Sequence, residues 1–239
     1  MLGKKQKIME SRSIMSRICF FITLLPVLLL TQDYHGWIQV GNADISEFTI
    51  NNTLVALDID DVPYIAFTDY TGANATVMKY NSTTDIWETF GNTGFAAGNA
   101  VISSFAFDNN GTAYIALKEN VSGNYGDPVV RKYDISSNTW ITVGSNEIQP
   151  SSEYTISFSM ILDNSGIPYV AFQDYSLSWK ATVMKYNSST DSWDTIGAEG
   201  LTLNQAGEIS IAVDNIAIPY VPFRDCEWGY SPPVSVMKY

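Results

Sequence analysis

Four carboxylates and four lysines recur along this chain, and acids beside amines are the raw material of general acid–base chemistry. The acids are Asp69, Glu119, Asp174 and Asp225; the lysines are Lys79, Lys132, Lys185 and Lys238, each 53 residues after the last. Gathered into a ring, the carboxylates would make a catalytic cluster. Paired across neighbouring strands, the same residues would be structural ion pairs that satisfy charge between packed sheets. Fourfold repetition favours the second reading, because scaffolding repeats whereas an active site breaks symmetry. The expected pairs are Asp69–Lys79, Glu119–Lys132, Asp174–Lys185 and Asp225–Lys238.

Residues that do not repeat are the better ligand-binding candidates. Between acid and lysine lies a segment of variable length, holding Tyr70 and Asn74 in the first unit and Tyr125 and Asp127 in the second. The third holds Tyr175, Trp179 and Lys180, and the fourth Glu227, Trp228 and Tyr230. Aromatic rings stack on the apolar C–H surface of a sugar or peptide while neighbouring polar groups orient hydroxyls. A glycosidase using a pair of loop carboxylates stays open, although no pair stands out from the repeat.

Other chemistries are poorly served. His35 is the one histidine and sits at the edge of the N-terminal segment, which removes His-based triads and His-ligated metals. Asp58, Asp60 and Asp61 cluster in one turn and could hold calcium through oxygen ligands, but their spacing matches no calcium loop. No other cofactor is expected. Phosphate-loop, dinucleotide, Cys-x-x-Cys and Gly-x-Ser-x-Gly motifs do not occur.

The 239 residues suffice for one sizeable domain. Lys4, Lys5, Lys7, Arg12 and Arg17 precede an apolar run at 18–30, short for a membrane span and right for a signal-peptide core. Residues 1–36 are therefore read as a signal peptide or N-terminal anchor. They hold five of the 13 cationic and two of the 25 acidic residues, so the net charge goes from −12 to −15 without them. Such a surface repels nucleic acid and anionic membranes and suits a secreted or cell-surface protein. Cys226 is then the sole cysteine, so no internal disulfide can form and the fold is held by its core.

A constant period means one structural unit used repeatedly. Each unit opens with an apolar run ending in Asp58, Asp108, Asp163 or Asp214. A turn of Asp, Asn and Gly follows, leading to a second strand such as Tyr169-Val-Ala-Phe172. The third strand carries Val77-Met-Lys-Tyr80, Val130-Arg-Lys-Tyr133, Val183-Met-Lys-Tyr186 or Val236-Met-Lys-Tyr239, and the fourth opens at Trp87, Trp140 or Trp193 and ends in Gly. We label these strands a to d. Four short strands per unit of about 50 residues, apolar on both faces, describe an all-β fold, a β-propeller of four-stranded antiparallel blades. The repeats run about 42–91, 92–144, 145–197 and 198–239, the last completed by 37–41.

The Tyr-x6-Trp spacing at Tyr80/Trp87, Tyr133/Trp140 and Tyr186/Trp193 resembles that of kelch repeats, over residues 37–239. One hallmark is absent: where a Gly-Gly pair ends the second strand of kelch repeats, this chain has Phe67-Thr-Asp-Tyr70, Leu117-Lys-Glu-Asn120, Phe172-Gln-Asp-Tyr175 and Phe223-Arg-Asp-Cys226. It looks like a divergent kelch-like propeller, similar to uncharacterised secreted bacterial repeat proteins. The resemblance implies that loops joining b to c and d to a gather on one face. Sialidase-type propellers hold a carboxylate with three arginines, and beyond residue 36 this chain has Arg131 and Arg224. Residues 37–41 (Trp-Ile-Gln-Val-Gly) repeat the d strand, so their phase suggests a ring of four blades closed by pairing with the last one; a piece of a six- to eight-bladed ring is the alternative.

These features point first to a secreted or cell-surface binding module without catalysis. Its ligand would be a glycan or protein surface, held by the loop face, with no nucleic acid, no membrane span in the mature form and an open oligomeric state. A carbohydrate-active enzyme using loop carboxylates, and a structural piece of a larger surface protein, are the alternatives.

Overall fold

The computed structural model describes residues 36–46, 49–69, 75–96, 98, 100–119, 126–145, 148, 157–226 and 233–239. The chain divides into two compact units, Met1–Val40 and Gly41–Tyr239. Of the first, residues 36–40 are described, so the expected signal segment lies almost wholly outside the described residues. Among the described residues no helix is long and apolar enough to cross a membrane.

The second unit is four antiparallel sheets in chain order. Sheet 1 holds β1 (Ile50–Leu57), β2 (Pro63–Asp69), β3 (Ala75–Asn81) and β4 (Ile86–Thr89). Sheet 2 holds β5 (Val101–Phe107), β6 (Ala113–Glu119), β7 (Asp127–Asp134) and β8 (Thr139–Thr142). Sheet 3 holds β9 (Phe158–Leu162), β10 (Pro168–Asp174), β11 (Lys180–Asn187) and β12 (Ser192–Thr195), with a 3-10 turn at Tyr175–Leu177 between b and c. Sheet 4 holds β13 (Ala206–Gly207), β14 (Ala212–Val213), β15 (Pro219–Asp225) and β16 (Val234–Lys238). The all-β class and the four-stranded antiparallel units are as the repeat predicts.

Each a-to-b hairpin is closed by its aspartate. Asp58 Oδ1 accepts from the backbone N–H of Asp60 and Val62 at 2.9 and 3.0 Å. Asp108, Asp163 and Asp214 accept from the residues two and four ahead in the same way. The residue three ahead is left-handed in every copy, at Asp61, Gly111, Gly166 and Ala217. The aspartates thus cap tight turns, which is why the strands start where they do. Among the described residues no three acidic, Cys or His side chains converge as a metal site.

The core lies between successive sheets. Sheets 1 and 2 enclose Tyr64, Ala66, Val77, Ile102, Ile115, Leu117 and Trp140. Sheets 2 and 3 enclose Val130, Met160, Val170, Phe172 and Trp193, and sheets 3 and 4 enclose Ala171, Val183, Ile211, Val221 and Phe223. Tyr and Trp of each Tyr-x6-Trp face each other across strands c and d, as Tyr80 faces Trp87, and the indole reaches back to the preceding sheet. Trp193 Nε1 donates to Val143 O at 2.9 Å, and Trp140 Nε1 to Phe90 O at 3.4 Å. Gly91 ends the strand under that indole with φ +77, where a Cβ would stand 2.9 Å from Trp140 Nε1; only glycine fits.

The closing strand differs from expectation. Residues 37–41 form no strand, only an isolated bridge at Trp37. Gly41 N–H donates to Asp85 Oδ1 at 3.2 Å, and a Cβ there would meet the Trp87 ring as one on Gly91 would meet that of Trp140. Sheet 4 reaches four strands by splitting its a strand into β13 and β14, both paired with β15. Strand a of each sheet packs on that of the next, β1 on β5, β5 on β9 and β9 on β14, and no packing of that extent joins β14 to β1.

Candidate functional site

The repeated lysines do not answer the acids at the ends of the b strands. Antiparallel register sets Lys79 opposite Tyr64, Lys132 opposite Tyr114, Lys185 opposite Tyr169 and Lys238 opposite Tyr220. Those tyrosines begin the b strands; Asp69, Glu119, Asp174 and Asp225 end them. The separation excludes the four expected pairs. Lys79 lies 4.0 Å from Asp58 and Lys185 3.9 Å from Asp163, so the ion pairs are made with the turn aspartates. Each amine also sits over a phenol ring, Tyr64 at 5.2 Å and Tyr169 at 4.8 Å. The Tyr64 hydrogen bond to Lys79 holds that lysine's pKa above its ordinary value, while burial raises that of Tyr64.

The strand-end acids instead organise the b–c side. Asp174 is buried and caps the 3-10 turn, its Oδ1 accepting from Ser176 N and Oγ at 3.0 and 2.6 Å. Glu119 is buried too, and pairs with Arg131 through a short bond to its guanidinium. Asp225 accepts from Asn204 Nδ2 at 3.1 Å.

Of the loop candidates, Tyr175, Trp179 and Lys180 come together. Ser178 and Trp179 are successive left-handed residues, at φ 59 and 65, unusual for a bulky side chain. The turn is pinned by Trp179 N–H to Asp174 O and by Ala206 N–H to Trp179 O. The two rings meet edge to face at 4.7 Å, and Lys180 begins β11 opposite Asp174. The d–a loop at 198–207 is stitched onto the same place. Leu201 N–H donates to Ala181 O, Gly200 N–H to Thr182 Oγ1, and Cys226 N–H to Gln205 O. In sheet 3 the b–c and d–a loops therefore share one face, as expected. Asp127 begins β7 opposite Glu119. Tyr70, Asn74, Tyr125, Glu227, Trp228 and Tyr230 lie outside the described residues.

Two features escaped the sequence reading. The residue before each strand-end acid varies, as Thr68, Lys118, Gln173 and Arg224, within an otherwise repeated strand. Thr68 Oγ1 and Gln173 Oε1 are buried without a hydrogen-bond partner, and burial lowers the pKa of Lys118. Their variation was the available signal. The second is a cleft of about 580 Å³ between sheets 1 and 2, on the side of the a–b turns, lined by Tyr64, Lys79, Tyr114, Lys132, Tyr133 and Asp134. Burial raises the pKa of Tyr114, and hydrogen bonds from Ser137 and Ser136 hold that of Asp134 down. Amines and phenols here suit a hydroxylated or anionic ligand, but every one of these residues except Asp134 belongs to the repeated scaffold, which hid the cleft.

No protein-family model and no curated protein matches the chain. Solved structures do. A protein of unknown function from Dyadobacter fermentans is 12% identical, over 80% of this chain and 66% of that one, with a TM-score of 0.53. A Hadza microbial sialidase is 11% identical over 80% and 44%, at 0.49. An α-L-arabinanase from Penicillium chrysogenum, complexed with arabinobiose, is 12% identical over 80% and 62%, at 0.49. The chain spans less than two thirds of each. Four radially repeated four-stranded sheets define the chain as a β-propeller.

Proposed function

We propose that this chain is a carbohydrate-directed propeller whose b–c loop face holds a saccharide without cleaving it. The observation that carries the reading is the Tyr175–Trp179 pair on a left-handed turn. Strained backbone is kept where the surroundings over-determine it, and ligand clamps are one such place. A ring presented this way offers a stacking surface, with Lys180 beside it to orient hydroxyls. The repeats are divergent kelch-like ones, a reading supported by the facing of Tyr and Trp within each Tyr-x6-Trp. The basic-then-apolar segment at 1–36 and the acidic remainder support export to the cell surface or beyond.

Glycan-array binding followed by calorimetry tests the reading, with and without calcium. Trp179→Ala keeps both backbone hydrogen bonds of the turn and is expected to weaken binding by about tenfold or more. Equal affinity in wild type and variant would remove the site. A second reading, glycoside hydrolysis, draws on Glu119 and Asp174, the buried carboxylates that end b strands. Both are engaged by neighbours, which favours a holding role. New reducing ends from a polysaccharide panel, lost in Asp174→Asn, would replace the first reading with this one.

A further inference from the structure

The cleft between sheets 1 and 2 has a repeated frame, but part of its lining breaks the repeat. On one face of strands c and d, Lys79 stands opposite Glu88 and Lys185 opposite Asp194. Asn81 and Asn187 tie that face together, each Nδ2 donating to the acid, to Glu88 Oε1 at 2.7 Å and to Asp194 Oδ2 at 2.8 Å. Sheet 2 has Ile141 in place of the acid, opposite Lys132, and Asp134 in place of the asparagine. An isoleucine cannot accept that bond, so sheet 2 lacks the tie. Both substituted residues line the cleft.

Two further lining residues depart from the repeat in opposite directions. Ile135, 85% exposed, stands where sheets 1 and 3 have Ser82 and Ser188. Thr112, half-buried, stands where the other sheets have Val62, Ile167 and Ile218. Folding alone favours the reverse, with serine in the exposed place and an aliphatic side chain in the half-buried one. The lysine is altered too. Lys79 and Lys185 lie within 4.0 Å of a turn aspartate. Among the described residues no carboxylate comes that near Lys132. Its half-buried ammonium has lost both the turn acid and the acid across the strand.

We infer that this cleft is a binding site for a neutral sugar, at the opposite end of the strands from the b–c loop face and independent of it. The lining selects its ligand by what each group can do. Lys132 only donates. Asp134, held by the hydroxyls of Ser136 and Ser137 at 2.9 and 2.6 Å, only accepts. A ligand that meets both must donate and accept with the same kind of group, and a hydroxyl does so. A carboxylate or phosphate would face Asp134, and an amine would face Lys132, like charge against like. Asn110 and Thr112 add an amide and a hydroxyl, which can both donate and accept. Ile135 and Ile141 offer an apolar wall to the C–H face of the sugar ring. The volume of about 580 Å³ falls within the roughly 300–1,000 Å³ of small-molecule sites.

Titration of the full chain with maltose, cellobiose and lactose, followed through its amide NMR resonances, tests this. At least one sugar is expected to shift Gly111 and Thr112 saturably. Shifts at Lys180 and Ala181 report the loop face separately, so either site can fail alone. Ile141→Glu restores the acid that sheets 1 and 3 carry and gives Lys132 a partner. It should raise the dissociation constant at the cleft by more than about tenfold. Because the neighbouring sheets hold an acid at this position, the variant should keep the wild-type denaturation midpoint. Lys132→Met, which keeps the aliphatic stem and removes the donor, should weaken binding by about tenfold as well. No saturable shift at Gly111 or Thr112 with any of the three sugars would overturn the inference. So would binding indifferent to both variants, or glucuronate binding more tightly than the neutral sugars.

Discussion

The phenol of Tyr186 donates to Asp191 Oδ1 at 2.8 Å, and Tyr133 and Tyr80 make the equivalent bond to Asn138 and Asp85. Burial first, and the Asp191 bond second, push the pKa of Tyr186 from an ordinary 10.0 up to about 12. The folded state therefore holds this proton more tightly than the unfolded chain does. Its stabilising contribution is complete below the unfolded value and is lost as pH rises through the folded one. Denaturation series should show stability falling between pH 10 and about 12, and Tyr186→Phe should flatten that fall. At neutral pH the same substitution should cost about 1 kcal/mol or less, since the hydroxyl is partly solvated. Gly91→Ala acts by a different cause, a left-handed φ and a Cβ that meets the Trp140 ring. It should destabilise by more than about 1 kcal/mol, read as a lower denaturation midpoint at constant m-value. Both residues were visible in the sequence as repeats of Tyr-x6-Trp and of Trp-x-x-x-Gly. Their partners were not, because the bonds to Asp191 and the neighbouring indole depend on turn conformation and on the next sheet.

The hairpin element shows which of two contacts at one aspartate matters more. Asp163 is buried, and its Oδ1 receives two backbone N–H groups while Oδ2 lies 3.9 Å from a part-exposed Lys185. Removing the acceptor leaves donors unsatisfied, a cost of about 1–3 kcal/mol, whereas a partly exposed ion pair contributes about 0–1 kcal/mol. Asp163→Ala should therefore destabilise clearly more than Lys185→Met, with Asp163→Asn between them because it keeps Oδ1. Chemical denaturation of the three variants ranks them, and a larger loss in Lys185→Met would reverse the assignment. Strands, turns and turn aspartates were legible from composition and period. The lysine's partner was misread because adjacency of b and c does not say which ends meet. The connection joins the end of b to the start of c, so Asp69 falls near Ala75, and Lys79, four residues on, returns to Tyr64. The aromatic turn at 175–179 was legible as non-repeating residues, but its left-handed backbone was not, since neither Ser nor Trp announces a positive φ.

Across the molecule, each sheet packs on its sequence neighbours, so stability passes from one interface to the next much as in other repeat folds. Burial is graded accordingly. β10, with a packed sheet on either side, is buried at every residue, whereas β16 is exposed at four of its five positions. Local opening free energies follow the number of buried contacts a strand would lose. Amide exchange read by mass spectrometry should therefore be slowest in β10 and β6 and fastest in β16, under conditions where the chain is monomeric. Trp193→Ala adds the decisive comparison. It removes an indole that bonds Val143 and fills the space between sheets 2 and 3, a truncation worth about 3–5 kcal/mol. If the interfaces are coupled in series, protection should fall in sheets 3 and 4 together while β2 keeps its own. A uniform loss across all four sheets would instead mean that the unit opens as one cooperative block, with no interface weaker than the rest.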